Sequence, residues 1–147
     1  MTVTQEAYTT ADGIATRDVP LEELTAAVEH ARGDGYDRFV DLTAVDLLTR
    51  ERRFQLVYLF YSMRQHAWFR LKTRTDAAAP SLTPNIPAAN WYECEVFDLF
   101  GIRFEGHPDL RRIMLPDDWQ GHPLRRTEPL GAEPVDFTVT RGVYGTD

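Results

Sequence analysis

Three carboxylates and two imidazoles hold most of the chemical potential of this chain. Glu93, Glu95 and Asp98 lie within six residues, and Glu95 and Asp98, three apart, share a face if the segment is helical. A carboxylate pair can serve as general acid and base when burial drives its two pKa values apart. The same acids can instead favour a helix N-terminus and pair with Arg103, Arg111 or Arg112. That reading is preferred, because structural ion pairs outnumber catalytic ones. His107 and His122 each follow a glycine and precede a proline: Gly106-His107-Pro108 runs on to Arg111-Arg112, and Gly121-His122-Pro123 to Arg125-Arg126. Two histidines with Asp109 or Asp117 could ligate a metal, but fifteen residues of separation matches no recognised ligand spacing. The alternative is that each imidazole anchors a tight turn. The arginine pairs fit forked clamps on carboxylates, within the chain or across an interface. Cys94 is the only cysteine, which excludes an intrachain disulfide and any cysteine-cluster metal site. Its place on the apolar side of a helix predicts an inert buried thiol. No G-x-S-x-G, P-loop or G-x-G-x-x-G run is present.

The elements that must position these residues are legible in outline. Leu21, Leu24, Ala27, Val28 and Ala31 recur at helical spacing behind Pro20, and Gly33 with Gly35 stops that helix. Phe39 to Leu48 reads as extended, with Ala44-Val45-Asp46 able to turn instead. Phe54, Leu56, Tyr58 and Phe60 alternate with Gln55, Val57, Leu59 and Tyr61, as in a strand inside a sheet. Ala67, Phe69 and Leu71 alternate with Trp68, Arg70 and Lys72, and the Ser62–His66 link predicts a hairpin. Pro80, Pro84 and Pro87 make Asp76 to Asn90 a loop. Asn90 and Glu93 then have capping-box spacing for a second helix with Trp91, Cys94, Phe97 and Phe100 on its apolar stripe, ended by Gly101. Trp91 and Trp119 read as packing anchors. The prediction is an α+β domain: N-terminal helix, small mainly antiparallel sheet, second helix and long irregular arm. The expected division is a flexible 1–17, an α+β domain over 18–105 and an irregular arm over 106–147 that packs on a partner.

Bulk properties narrow the function. A length of 147 residues suits one domain. The net charge is −7, and even between Leu99 and Arg126 five arginines face four carboxylates, so no basic patch suggests nucleic-acid binding. Fifteen arginines against one lysine, Lys72, reflect codon usage first, although the arginine fork also suits fixed interfaces. No run approaches the ~18 apolar residues of a membrane span, and nothing resembles a signal peptide, so a membrane is expected to be reached only through a partner.

The stretch from Trp91 to Arg126 resembles the 30 kDa subunit family of respiratory complex I, known in bacteria as the C subunit of NADH-quinone oxidoreductase. Glu93, Glu95, Asp98, Leu99, Phe100, His107, Arg111, Ile113 and Met114 fall on the family signature in register. Leu115-Pro116, Trp119, Gly121-His122-Pro123-Leu124-Arg125 and Pro129-Leu130 continue the likeness. Cys94 departs from it, standing where the family carries arginine. The resemblance implies a subunit of the peripheral arm of a proton-translocating NADH-quinone oxidoreductase, on the cytoplasmic side of the cell membrane. It would carry no cofactor, and would brace the quinone-site (49 kDa-type) subunit while FMN, iron–sulfur clusters and quinone sit on partner chains. One cysteine cannot hold a four-ligand cluster, which agrees. Under this reading Glu93, Glu95, Asp98, His107, Arg111, Arg112, Trp119, His122, Arg125 and Arg126 are interface or loop-bracing residues, and none is catalytic or metal-binding. Two alternatives stand beside it. One is the equivalent subunit of a membrane-bound [NiFe] hydrogenase or ferredoxin-linked complex. The other is a free-standing acid/base enzyme using Glu93, Asp98 and His107.

Overall fold

The structure, a computed structural model, describes residues 7–49 and 51–128. The expected Pro129-Leu130 match and the rest of the arm to residue 147 lie outside them. In chain order the elements are β1 (Tyr8–Thr9), β2 (Ala15–Asp18), a 3-10 turn at Leu21–Glu23, α1 (Leu24–Gly33), β3 (Arg38–Asp46), β4 (Phe54–Ser62), β5 (Ala67–Thr75), β6 (Ala78–Pro80), a 3-10 turn at Pro87–Ala89, α2 (Asn90–Phe100) and β7 (Arg103–Glu105). Five strands form one sheet in the order β1-β2-β5-β4-β3, and β6 and β7 form a small parallel pair. Within the large sheet β4 is antiparallel to both neighbours, while β2 runs parallel to β5. The fold is α+β with a mostly antiparallel sheet, as the alternating patterns predicted.

Alternation decides which face is buried. Phe54, Leu56, Tyr58 and Phe60 of β4 are buried, as are Phe69 and Leu71 of β5 and Leu42 and Ala44 of β3. Against them pack Leu24, Val28 and Ala31 of α1 and Val96 and Phe100 of α2. Burying each of the larger of these side chains contributes roughly 1.5–3 kcal/mol, so this single core carries the domain. Phe100 meets Phe54 edge-on with ring centroids 6.4 Å apart, and Tyr92 meets Phe39 at 5.5 Å. These contacts place α2 across the sheet.

Two expectations change, and one open alternative closes in favour of the extended reading. Residues 8–9 and 15–18, assigned largely to a flexible N-terminus, are strands, because β2 finds the open edge of β5 from Ala15 opposite Phe69 to Asp18 opposite Lys72. Ala44-Val45-Asp46 does not turn; it stays extended, pairing with Leu56, Gln55 and Phe54. The proline-rich 76–90 loop contains β6, whose Ala78–Pro80 pair with Arg103–Glu105 of β7. A pairing that short and that distant in sequence leaves no periodic signal.

Candidate functional site: an arm pinned to a helix by buried carboxylates

α2 starts at Asn90 behind Pro87, whose ring suits a first helical turn, and stops at Gly101, which takes φ +74. Its buried side chains are Glu93, Cys94, Val96, Asp98 and Phe100. The predicted stripe holds for Cys94 and Phe100, leaves Phe97 half-buried, and fails for Trp91, which is 62% exposed. Two carboxylates take places on the inner side that an apolar pattern would not assign them.

Glu93 does not form the capping box, and no side chain caps α2 at Ala89. Instead its carboxylate turns inward to the segment before the helix. It accepts hydrogen bonds from the Ser81 hydroxyl (2.6 Å), the Leu82 N–H (2.6 Å) and the Thr83 hydroxyl (2.9 Å). Three preorganised donors in a dry setting outweigh one exposed cap. His107 lies behind it with no exposed side-chain surface, Nε2 3.8 Å from Glu93 Oε2. The Asp109 N–H donates to His107 Nδ1 at 3.0 Å, which leaves Nε2 as the protonated nitrogen, 3.4 Å from the Asn90 carbonyl. Cys94 Sγ is 3.9 Å from that same Nε2 and 3.6 Å from the Asp109 carbonyl. An imidazole that presents N–H to the thiol cannot take its proton, so Cys94 and His107 are no nucleophile–base pair.

At the other end of α2, Asp98 organises the arm. It is wholly buried; Oδ1 accepts from Arg112 at 2.6 Å, and Oδ2 accepts the consecutive N–H groups of Ile113 (3.0 Å), Met114 (2.8 Å) and Leu115 (3.0 Å). Burial pushes its pKa up, but the N–H groups of Leu115, Met114 and Ile113 and the Arg112 guanidinium outweigh it, and the carboxyl is held below its ordinary value. The second Gly-His-Pro then caps the helix. His122 Nδ1 lies 2.8 Å from the Asp98 carbonyl, Leu124 N–H donates to Leu99 O at 3.1 Å, and Arg125 Nε donates to Phe100 O at 2.6 Å. These are carbonyls that a helix C-terminus leaves unpaired, and two arginines meet the negative end of its dipole. Arg112 also donates to the Gly121 carbonyl at 3.1 Å, tying one half of the arm to the other. The repeated motif thus does one job twice: each imidazole nitrogen carries a proton toward a main-chain carbonyl of α2.

A third buried carboxylate was not visible from the sequence. Asp46, at the end of β3, binds Arg53 through both oxygens and accepts the Arg126 N–H at 3.0 Å, while Arg53 reaches the Thr127 hydroxyl at 3.2 Å. The Arg53 hydrogen bonds hold its carboxyl well below the usual carboxylate range. Asp46 fits the strand alternation as any inward residue would. Its partners lie at positions 53 and 126, so no local spacing marks it.

The expected residues therefore separate into two groups. Asp98, His107, Arg112, His122 and Arg125 brace the arm from inside, and Glu93 ties α2 to the segment that precedes it. Arg111 is exposed and, among the described residues, pairs with Asp109 alone at 3.2 Å, while Arg126 and Glu95 make no ion pair there. Trp119 is half-buried. His107 and His122 go to opposite ends of α2, so the two-histidine arrangement does not converge. Among the described residues no group of three or more His, Cys, Asp or Glu is placed to hold a metal. Nor does the geometry suit acid/base work: Glu93 and Asp98 have no exposed surface, and Asp98 is kept ionised by donors that leave it no free oxygen. What remains open to solvent mixes apolar, cationic and acidic side chains, with Asp109, Asp117 and Asp118 among them. Met114 is 62% exposed and Leu124 51%, and Trp91 and Arg111 line a cavity of about 20 Å³ together with Cys94, Asp109 and Ile113.

Residues 17–134 match the family model described as the respiratory-chain NADH dehydrogenase 30 Kd subunit. The chain is 50% identical over 126 residues to the NADH-quinone oxidoreductase C subunit of Roseiflexus sp. (strain RS-1), covering 82% of this chain and 72% of that one. It is 44% identical over 141 residues to the C/D subunit of Methylococcus capsulatus, covering 87% of this chain but 24% of that protein. The C subunit of Methylobacterium sp. (strain 4-46) is 41% identical and is covered over 64% of its length, so the chain spans under two thirds of several curated relatives. Among solved structures it is similar to a trypsin-resistant fragment of Nqo5, with TM-score 0.64 and 31% identity over 70% of this chain and 87% of that one. A chain of an archaeal membrane-bound sulfane sulfur reductase complex gives TM-score 0.70 and 25% identity over 79% and 71%.

Proposed function

The chain belongs to the 30 kDa subunit family of the respiratory-chain NADH dehydrogenase, and from that membership we propose that it is a cofactor-free, peripheral-arm subunit of an NADH-quinone oxidoreductase. Its work is architectural: α2 and the arm brace the quinone-site (49 kDa-type) subunit on the cytoplasmic side of the membrane. Electrons pass from NADH through FMN and iron–sulfur clusters to quinone on neighbouring chains. The observation that carries this reading is the arm itself. A segment without helix or long strand, Gly106 to Thr127, is fixed from within by two buried carboxylates, Asp98 and Asp46, yet leaves Arg111, Met114 and Leu124 facing outward beside Trp91 of α2. Rigid loops that display aromatic, arginine and methionine side chains are the usual material of a protein interface. The name of the Methylococcus relative supports the choice of partner, since it joins a C part to a D part.

A second reading draws on the sulfane sulfur reductase likeness. The same bracing role would then serve a complex with another electron partner, such as a ferredoxin-linked complex or a membrane-bound hydrogenase. The deciding experiment is affinity purification of the tagged chain from gently solubilised native membranes, followed by mass spectrometry. Co-purifying flavin and iron–sulfur subunits of an NADH dehydrogenase are expected. Recovery with hydrogenase or ferredoxin-linked subunits selects the second reading, and recovery alone from the soluble fraction rejects both.

A further inference from the structure

Away from α2 and the arm, the sheet carries a second feature that the bracing role does not use. β2 accompanies β5 only as far as Lys72, where the Val19 N–H closes the ladder on the Lys72 carbonyl at 2.9 Å. β5 continues to Thr75, three residues beyond its last partner on that side. There the chain opens into a cleft of about 500 Å³ lined by Asp18, Val19, Pro20, Arg52, Lys72, Thr73 and Arg74. Three cations against one carboxylate form a local excess of positive charge on a chain whose net charge is −7.

None of the three cations has a strong ion pair among the described residues, although the Lys72 ammonium lies 6.0 Å from the centre of the Tyr8 ring. Arg52 approaches Glu22 at 3.7 Å with both side chains more than half exposed, a pairing worth little in water. Lys72 and Arg74 make no ion pair among the described residues, and Asp18 already accepts the Tyr8 hydroxyl at 2.8 Å. Thr73 is 2% exposed, and its hydroxyl finds no hydrogen-bond partner among the described residues, a costly state for a buried donor. Lys72 and Arg74 are two apart on one strand, so they lie on one face about 7 Å from each other. That is also the repeat of alternate side chains along an extended peptide. A phosphate-sized ion would use a small part of such a cleft, whereas an extended segment would use the cations and the open strand edge together.

We propose that this cleft receives an extended, acidic segment of a second polypeptide, laid beside the end of β5 with carboxylates at alternate positions against Lys72 and Arg74. The site is distinct from the α2 and arm surface. It rests on the subunit reading only in expecting the partner within the same complex.

Lys72 makes the test specific, because it is the only lysine in the sequence. The native complex is treated with a water-soluble carbodiimide, which joins an amine directly to a carboxylate it already touches, and peptides containing coupled Lys72 are identified by mass spectrometry. Coupling to an Asp or Glu of another polypeptide is expected. It should fall several-fold in 0.5 M salt and in Arg74→Glu, whose exposed position spares the fold. Lys72→Arg keeps the charge and should lose the product. Coupling only to a carboxylate of this chain, or no coupling while inorganic phosphate shields Lys72 from acetylation, overturns the proposal. If respiratory subunits co-purify but Lys72 joins none of them, the cleft assignment fails alone; if none co-purify, the subunit reading fails first.

Discussion

Asp98 shows what one buried carboxylate can organise, and it can be tested on its own. Its four donors together favour the ionised form. Because its folded pKa lies below the ordinary carboxylate value, the stability it contributes is fully present above pH ~4, the unfolded value. That stability is lost as pH falls through the lower, folded value. Denaturant titrations of the protein should therefore show stability declining below pH ~4, with Asp46 adding to the same window, since its pKa is lowered too. Asp98→Asn keeps the shape but turns an acceptor into a donor before other donors and leaves Arg112 without its partner. We expect a loss of roughly 3–5 kcal/mol near neutral pH and a flatter acid limb; an unchanged acid limb would mean that Asp98 does not anchor the arm. Sequence reasoning reached Asp98 as a partner for a nearby arginine, and Arg112 is that partner. It did not reach the three consecutive N–H groups, because no side-chain pattern records where a loop's backbone points. Asp46 was missed entirely for the same reason, compounded by eighty residues of separation from Arg126.

At the scale of elements, the arm and α2 form one unit joined through the end of the helix. Gly101 sits at that junction with φ +74, and a Cβ there would come within 2.3 Å of Arg125 Nη2 and 2.5 Å of His122 Cδ2. Gly106 has a similar φ of +85 but open space around it. The two glycines separate backbone strain from displacement of the cap. Gly106→Ala should cost about 1–2 kcal/mol, the penalty of a left-handed residue with a side chain. Gly101→Ala should cost clearly more, and should speed hydrogen exchange at the Leu124 amide, which bonds to the Leu99 carbonyl. Equal costs for the two variants would argue that His122 and Arg125 do not close the helix. The helices and the β4–β5 hairpin were legible because their signals are local: apolar residues at the helical repeat in α1, strict alternation in the strands. β2 and β6 were not, since each is short and gains its order from a strand far along the chain. The capping box at Asn90 and Glu93 had the right spacing but yielded to stronger donors at Ser81, Leu82 and Thr83.

For the whole molecule, the division between inward bracing and outward display decides which substitutions should affect assembly and which the fold. Arg125 and Arg111 look alike in sequence, each opening an arginine pair behind a Gly-His-Pro. Arg125 is spent on the Phe100 carbonyl and lies over the Phe54 ring at 5.6 Å, so its removal should weaken the isolated domain. The one ion pair of Arg111 among the described residues is with Asp109, another exposed residue, and loss of such a surface pair ordinarily changes stability by no more than about 0.5 kcal/mol. If the outward face of the arm is where the protein meets its partner, Arg111→Ala combined with Met114→Asp should leave the melting temperature of the isolated protein nearly unchanged. The same double variant should lower its recovery in the membrane complex severalfold, because buried arginine and apolar anchors dominate interface energies. A charge placed at Met114 meets water in the free protein and a desolvated surface in the complex, so the two measurements must diverge. Their moving together, with stability and assembly lost in proportion, would show the arm to be only the domain's own outer wall and would move the search for the partner-binding face elsewhere on the molecule.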